Sequence, residues 1–86
     1  MNISKIEQRV LHVLAQGGRI CFERGSNGKL LDVECYTHDG MLLMDCTLGI
    51  VSSLRRKRLI ESRKSQPYRI SLRGRRAVRS QVNNRV

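Results

Sequence analysis

Seventeen lysines and arginines stand against seven acids in this 86-residue chain, for a net charge of +10 at neutral pH. Their placement is uneven. Residues 55–86 hold twelve of the cations and one acid, Glu61, while residues 1–54 hold five cations and six acids. Guanidinium and ammonium groups at that density do electrostatic chemistry: they bind phosphates, concentrate a polyanion near the surface and steer it in. Nucleic acid is the partner class this implies. Twelve cations can neutralise about six to eight phosphates at once, so binding should depend steeply on salt.

Residues suited to covalent or metal chemistry are sparse. His12 falls off the apolar face of its segment and reads as a solvated side chain; His38 sits at a turn. Neither has a Ser, Cys or carboxylate at a suggestive local spacing. Cys21, Cys35 and Cys46 match no zinc pattern and cannot all pair within one chain. They read as reduced thiols of a cytoplasmic protein. No Gly-rich phosphate loop follows a strand. The expectation is a protein that binds rather than catalyses, with no metal or cofactor. The longest apolar run, Met41–Met44, is far too short for a membrane span, and no signal peptide is apparent. With no Trp, one Phe and two Tyr, the chain has few rings on which to stack single-stranded bases.

These charges need a scaffold, and the length allows one small domain, expected over 1–80 with a flexible tail over 81–86. Ser4-Lys5-Ile6-Glu7 fits a capping box, and Ile6, Val10, Val13 and Leu14 recur at helical spacing until Gly17-Gly18, predicting a helix over Ser4–Gln16. Asn27-Gly28 suits a two-residue hairpin turn. Folding about it sets Phe22 opposite Val33 and Ile20 opposite Cys35, with Ile20, Phe22, Leu31, Val33 and Cys35 on the core face. Cys21, Glu23, Asp32 and Glu34 share the other face. Glu23 meets Asp32 there, a like-charge pair that costs stability. Asp39-Gly40 marks a second turn before Met41–Met44, read as a short strand. Asp45 or Thr47 caps a second helix to about Arg58, with Leu48, Ile50, Val51 and Leu54 buried. Leu59–Ser62 and Tyr68–Ser71 read as strands of a basic hairpin. Ser71 then caps a last helix carrying Leu72, Ala77 and Val78.

The fold class is therefore α+β, ordered helix, hairpin, helix, basic hairpin, basic helix. Residues 47–78 resemble the back half of a winged helix-turn-helix domain, with the first hairpin in place of a usual helix. On that resemblance the second helix enters the major groove through Ser52, Ser53, Arg55 and Arg56, with Lys57 and Arg58 at its basic end. Arg63, Lys64 and Arg69 form wing contacts, and Arg73, Arg75 and Arg76 add cations on the last helix. Asn and Gln are scarce on the reading helix, which predicts weak sequence preference.

Several segments together resemble one family. Glu7–His12, Ala15–Ile20, Val33–Thr37, Asp45–Leu48, Lys57–Ile60, Pro67–Ile70, Val78–Gln81 and Asn84-Arg85 are similar in order and spacing to the YjhX-like bacterial toxins. His38-Asp39-Gly40 stands where the family turn has Arg-Glu-Gly, and Val51 lies near where it has an aromatic residue. The resemblance implies the toxin of a toxin–antitoxin pair, an inhibitor of bacterial DNA topoisomerase I with an acetyltransferase-like antitoxin. Joined to the charge pattern, it makes the acidic face of Glu23, Asp32 and Glu34 the candidate enzyme contact. A freestanding winged-helix transcriptional regulator is the alternative reading, and an RNA-associated basic protein a third.

Overall fold

The computed structural model describes residues 2–83, with side chains through residue 79. The chain runs α1 (Lys5–Ala15), β1 (Arg19–Arg24), β2 (Leu30–Tyr36), β3 (Leu42–Leu43), α2 (Leu48–Arg56), β4 (Ile60–Glu61), β5 (Arg69–Ile70) and α3 (Leu72–Asn83). This is the α+β order expected. Helix α3 takes in residues 81–83 of the segment read as a tail, and 84–86 lie outside the described residues.

Helix α1 starts where the capping box places it. The Ser4 hydroxyl accepts from the Glu7 amide at 3.1 Å and the Glu7 carboxylate accepts from the Ser4 amide at 2.9 Å, so two otherwise orphaned donors are satisfied. Strands β1 and β2 pair antiparallel with Ile20 opposite Cys35, Phe22 opposite Val33 and Glu23 opposite Asp32. The turn differs from the two-residue form. The Gly28 amide donates to Gly25, Gly28 has φ +82°, and the Gly25 amide donates to Lys29. The loop is thus three residues long, with glycine at the left-handed position. Arg24 then pairs with Leu30, leaving Leu31 as an extra residue in the ladder. Leu31 is therefore 60% exposed, not part of the core face.

The expected strand in Met41–Met44 is confined to Leu42–Leu43, on the open edge of the order β1-β2-β3. Helix α2 is capped by Thr47, whose hydroxyl accepts from the Ile50 amide. It ends at Arg56, two residues before the expected Arg58. The cause is local. The Leu59 amide donates to Leu54 and the Arg58 amide to Arg55, with Arg58 at φ 60°. This is a Schellman motif with arginine in the left-handed seat usually held by glycine, closed by the fully buried pair Leu54 and Leu59.

Strands β4 and β5 pair with Ile60 opposite Ile70 and Glu61 opposite Arg69. Ile20 and Tyr68 exchange backbone hydrogen bonds of 3.0 and 2.8 Å, which ties this basic hairpin to the free edge of β1. The core lies between α1, α2 and the two sheets. Val10, Ile20, Cys35, Val51, Leu54 and Leu59 are all 0% exposed there, and each large apolar side chain contributes about 1.5–3 kcal/mol. Gly74 lets α3 close on this core, since a Cβ there would stand 2.2 Å from the Leu59 carbonyl oxygen. Ser71 caps α3 as expected, accepting from the Gly74 amide at 3.0 Å. Leu48, read as buried, is 39% exposed, and Leu72, placed on the last helix, is 65% exposed. Each is the first residue of its helix, and Leu48 lines a groove with Leu30 and Ser52.

Candidate nucleic-acid interface

Helix α2 sorts its polar side chains by its own periodicity. Ser53 and Lys57, four apart, share the face turned to α1. The Ser53 hydroxyl donates to the Glu7 carboxylate at 2.7 Å, and the Lys57 ammonium donates to both Glu7 oxygens at 3.0 Å and to the Asn2 carbonyl at 2.7 Å. Glu7 is 4% exposed. Burial alone would raise its carboxyl, but the Ser4 amide, the Ser53 hydroxyl and the Lys57 ammonium outweigh it and hold the group at about 2. Ser53 and Lys57, both half-buried, are therefore engaged in the contact between α2 and α1. Ser53, read as groove-facing, and Lys57, read as part of the basic end of the helix, thus have partners within the chain.

Ser52, Arg55 and Arg56 lie on the exposed side of α2, and Arg58 is exposed just beyond its end. Arg55 lies over the Tyr68 ring, 5.8 Å from its centroid. In the wing, Arg63 sits 3.5 Å from Glu61 and is 84% exposed. Lys64 and Ser65 form the tip with φ 53° and 62°, and the Gln66 amide donates back to Arg63 at 2.9 Å. Two successive non-glycine residues in the left-handed region are strained, by about 1–3 kcal/mol each. Arg69, counted as a wing contact, is exposed and lines a depression with Glu61, Arg63 and Gln66, but it also serves the fold. Its guanidinium donates to the Gly17 and Gly18 carbonyls at 3.1 Å each, satisfying the end of α1.

Arg73, Arg75 and Arg76 are exposed on α3. Arg75 and Arg79 flank Ala15 and Val78 in a shallow depression between α3 and α1. The fold thus leaves Arg55, Arg56, Arg58, Arg63 and Lys64 exposed on and after α2 and on the wing, sets Arg75 and Arg79 beside α1, and engages Lys57 and Arg69 in hydrogen bonds within the chain. Sequence reasoning also missed two residues. Arg24 and Lys29, from the nearly neutral half, stand beside Arg55: one groove joins Arg24, Arg55, Ser62, Ser65 and Tyr68, and another joins Lys29, Ser52 and Arg55. The available signal was local, as both flank the Asn27-Gly28 turn.

On the opposite side of the hairpin, Glu23, Asp32 and Glu34 are exposed and line a depression with Cys21. Glu34 accepts from the Tyr36 hydroxyl at 3.2 Å, and this bond raises the Tyr36 phenol. Cys35 and Cys46 are buried together, and the hydrogen bond to Cys35 and burial push the Cys46 thiol up, away from nucleophilic chemistry. His12 is half-buried, and its Nε2 is shut from solvent without a partner among the described residues, so it is not the solvated side chain expected. Among the described residues no cluster of three His, Cys, Asp or Glu could hold a metal ion, and no helix is long and apolar enough to cross a membrane.

A family model, YjhX toxin, described as "Putative toxin of bacterial toxin-antitoxin pair", matches residues 1–85. A UPF0386 protein of Beijerinckia indica is 64% identical over 85 residues, covering 99% of this chain and 100% of the relative. One from Ruegeria sp. strain TM1040 is 61% identical over 85 residues with the same coverage. One from Caulobacter vibrioides is 54% identical over 86 residues, covering 100% and 94%. No solved structure matches.

Proposed function

The chain belongs to the YjhX toxin family, and from that premise we propose that it is the toxin of a toxin–antitoxin pair that inhibits bacterial DNA topoisomerase I while holding DNA on its basic surface. It acts in the cytoplasm by binding and not by catalysis. Its partners are DNA, the topoisomerase and an acetyltransferase-like antitoxin. The observation that carries the reading is the coincidence of this family membership with an exposed cationic surface, Arg55, Arg56, Arg58, Arg63 and Lys64, in which only Arg63 has an acidic neighbour among the described residues. The acidic hairpin face, a surface of opposite sign, is the proposed enzyme contact. Reversing Glu23, Asp32 and Glu34 to Lys should abolish enzyme binding and leave DNA binding intact.

Relaxation of supercoiled plasmid by purified topoisomerase I, with this protein titrated in at two plasmid concentrations, tests the reading. Inhibition that tracks enzyme concentration and survives excess DNA supports a direct inhibitor. Inhibition relieved by excess DNA means template coating. The second reading, a winged-helix regulator, draws on the isolated Ile20–Tyr68 bridge, which ties the wing hairpin to the edge of β1. A defined operator recovered from a binding selection would favour it.

A further inference from the structure

The first hairpin lies outside the basic third of the chain, yet it brings two cations to Arg55. Tyr68 organises the meeting. The residue is 4% exposed, its ring packs on Phe22 at 5.0 Å between centroids, and its backbone is paired to Ile20. Arg55 lies over this ring, while Arg24 donates to the Tyr68 hydroxyl at 3.2 Å and to the Gly28 carbonyl at 2.8 Å and lies over the Phe22 ring at 5.0 Å. Two guanidiniums that would repel each other are thus pinned around one aromatic floor. Each keeps N–H donors that these contacts do not use. The groove between them, about 410 Å³, also carries Ser62 and Ser65. It continues past Arg55 into a second groove of about 390 Å³ lined by Lys29 and Ser52. The acid present, Glu61, faces Arg63.

We infer that this paired groove is where successive backbone phosphates of duplex DNA are seated, with Arg24 and Arg55 forking one phosphate and Lys29 and Arg55 flanking the next. The inference deepens the DNA-binding part of the proposed function and rests on it. It makes the first hairpin part of the interface, so the contact surface is not confined to residues 55–86. Preorganisation is the physical reason for the site: the aromatic floor holds the guanidiniums before the ligand arrives, so less side-chain freedom is lost on binding.

The test compares salt dependence of duplex binding for the full chain, for R24Q/K29Q and for the wing pair R63Q/K64Q. Loss of each phosphate contact lowers the log–log slope by about 0.9, so R24Q/K29Q should lower it by roughly 1–2. K29Q alone, on an exposed loop, should lower it by about 1 and keeps the test valid if Arg24 variants fold poorly. E61Q should tighten binding. A wild-type slope in R24Q/K29Q beside a weakened R63Q/K64Q would overturn the groove and leave the DNA reading standing. Absence of salt-dependent duplex binding by the unaltered chain would overturn both. Inorganic phosphate alone that shifts the Arg24 and Arg55 side-chain N–H resonances as fully as a short duplex would make this a small-anion site and overturn the duplex assignment.

Discussion

Glu7→Gln tests the interior network that fixes α2 against α1. Glu7 titrates at about 2 in the fold against an ordinary 4.5. At 1.36 kcal/mol per pH unit, that difference corresponds to about 3 kcal/mol of stability held by the charged form. Because the folded value is depressed, the contribution is complete above about pH 4.5 and is lost as pH falls towards 2. Glutamine keeps one carbonyl acceptor, enough for the Ser4 amide, turns an NH2 to the Ser53 and Lys57 side, offers Lys57 no charge, and does not titrate. The substituted protein should therefore be about 3 kcal/mol less stable near neutrality, with the gap closing through the acid window. For a domain of this size that is a large share of the total, typically about 5–15 kcal/mol. Urea unfolding followed by circular dichroism, at intervals from pH 7 to pH 2, measures both curves. Parallel curves across the window would refute the reasoning, since whatever Glu7 then contributes would not be electrostatic.

Gly74→Ala should destabilise by about 1–3 kcal/mol, although alanine is the better helix former, because the new methyl meets the Leu59 carbonyl and the Ile70 side chain; thermal unfolding checks it. Arg58→Gly relieves a left-handed arginine and should stabilise by about 0.5–1 kcal/mol, while removing one exposed cation and lowering the salt slope of DNA binding by about 0.9. Replacing Arg55, Arg56, Arg63 and Lys64 with Ala should weaken duplex binding and flatten its salt dependence, measured by fluorescence anisotropy over a salt series; an unchanged slope would move the interface elsewhere. Leu31→Thr should leave stability within about 0.5 kcal/mol in urea melts, because the bulge already exposes this side chain.

What was legible in the sequence was what is decided within a few residues. The capping box, the Ser71 cap and the pairing of Ile20 with Cys35 follow from spacing alone. The bulge at Leu31 was hidden because two- and three-residue loops share the same Asn-Gly signal, and only the ladder reveals which forms. The partners that two cations of the candidate site hold within the chain were hidden because they are distant in sequence: Lys57 meets Glu7 across 50 residues and Arg69 meets Gly17 across 52. Arg24 and Lys29 were overlooked for the mirror-image reason, since a half-chain near neutrality hides two cations that folding carries to the other half.

The Ile20–Tyr68 bridge also bears on the order in which the molecule can assemble. Strands β1 and β2 are neighbours in sequence and can close as a hairpin within about 1–10 μs. The other edge of β1 has no local partner and stays open until Tyr68 arrives from 48 residues downstream. That late arrival is the most self-repelling part of the chain, so loop closure and charge both slow the same step. A polyanion that gathers those cations would accelerate it, making folding itself sensitive to the company the protein keeps.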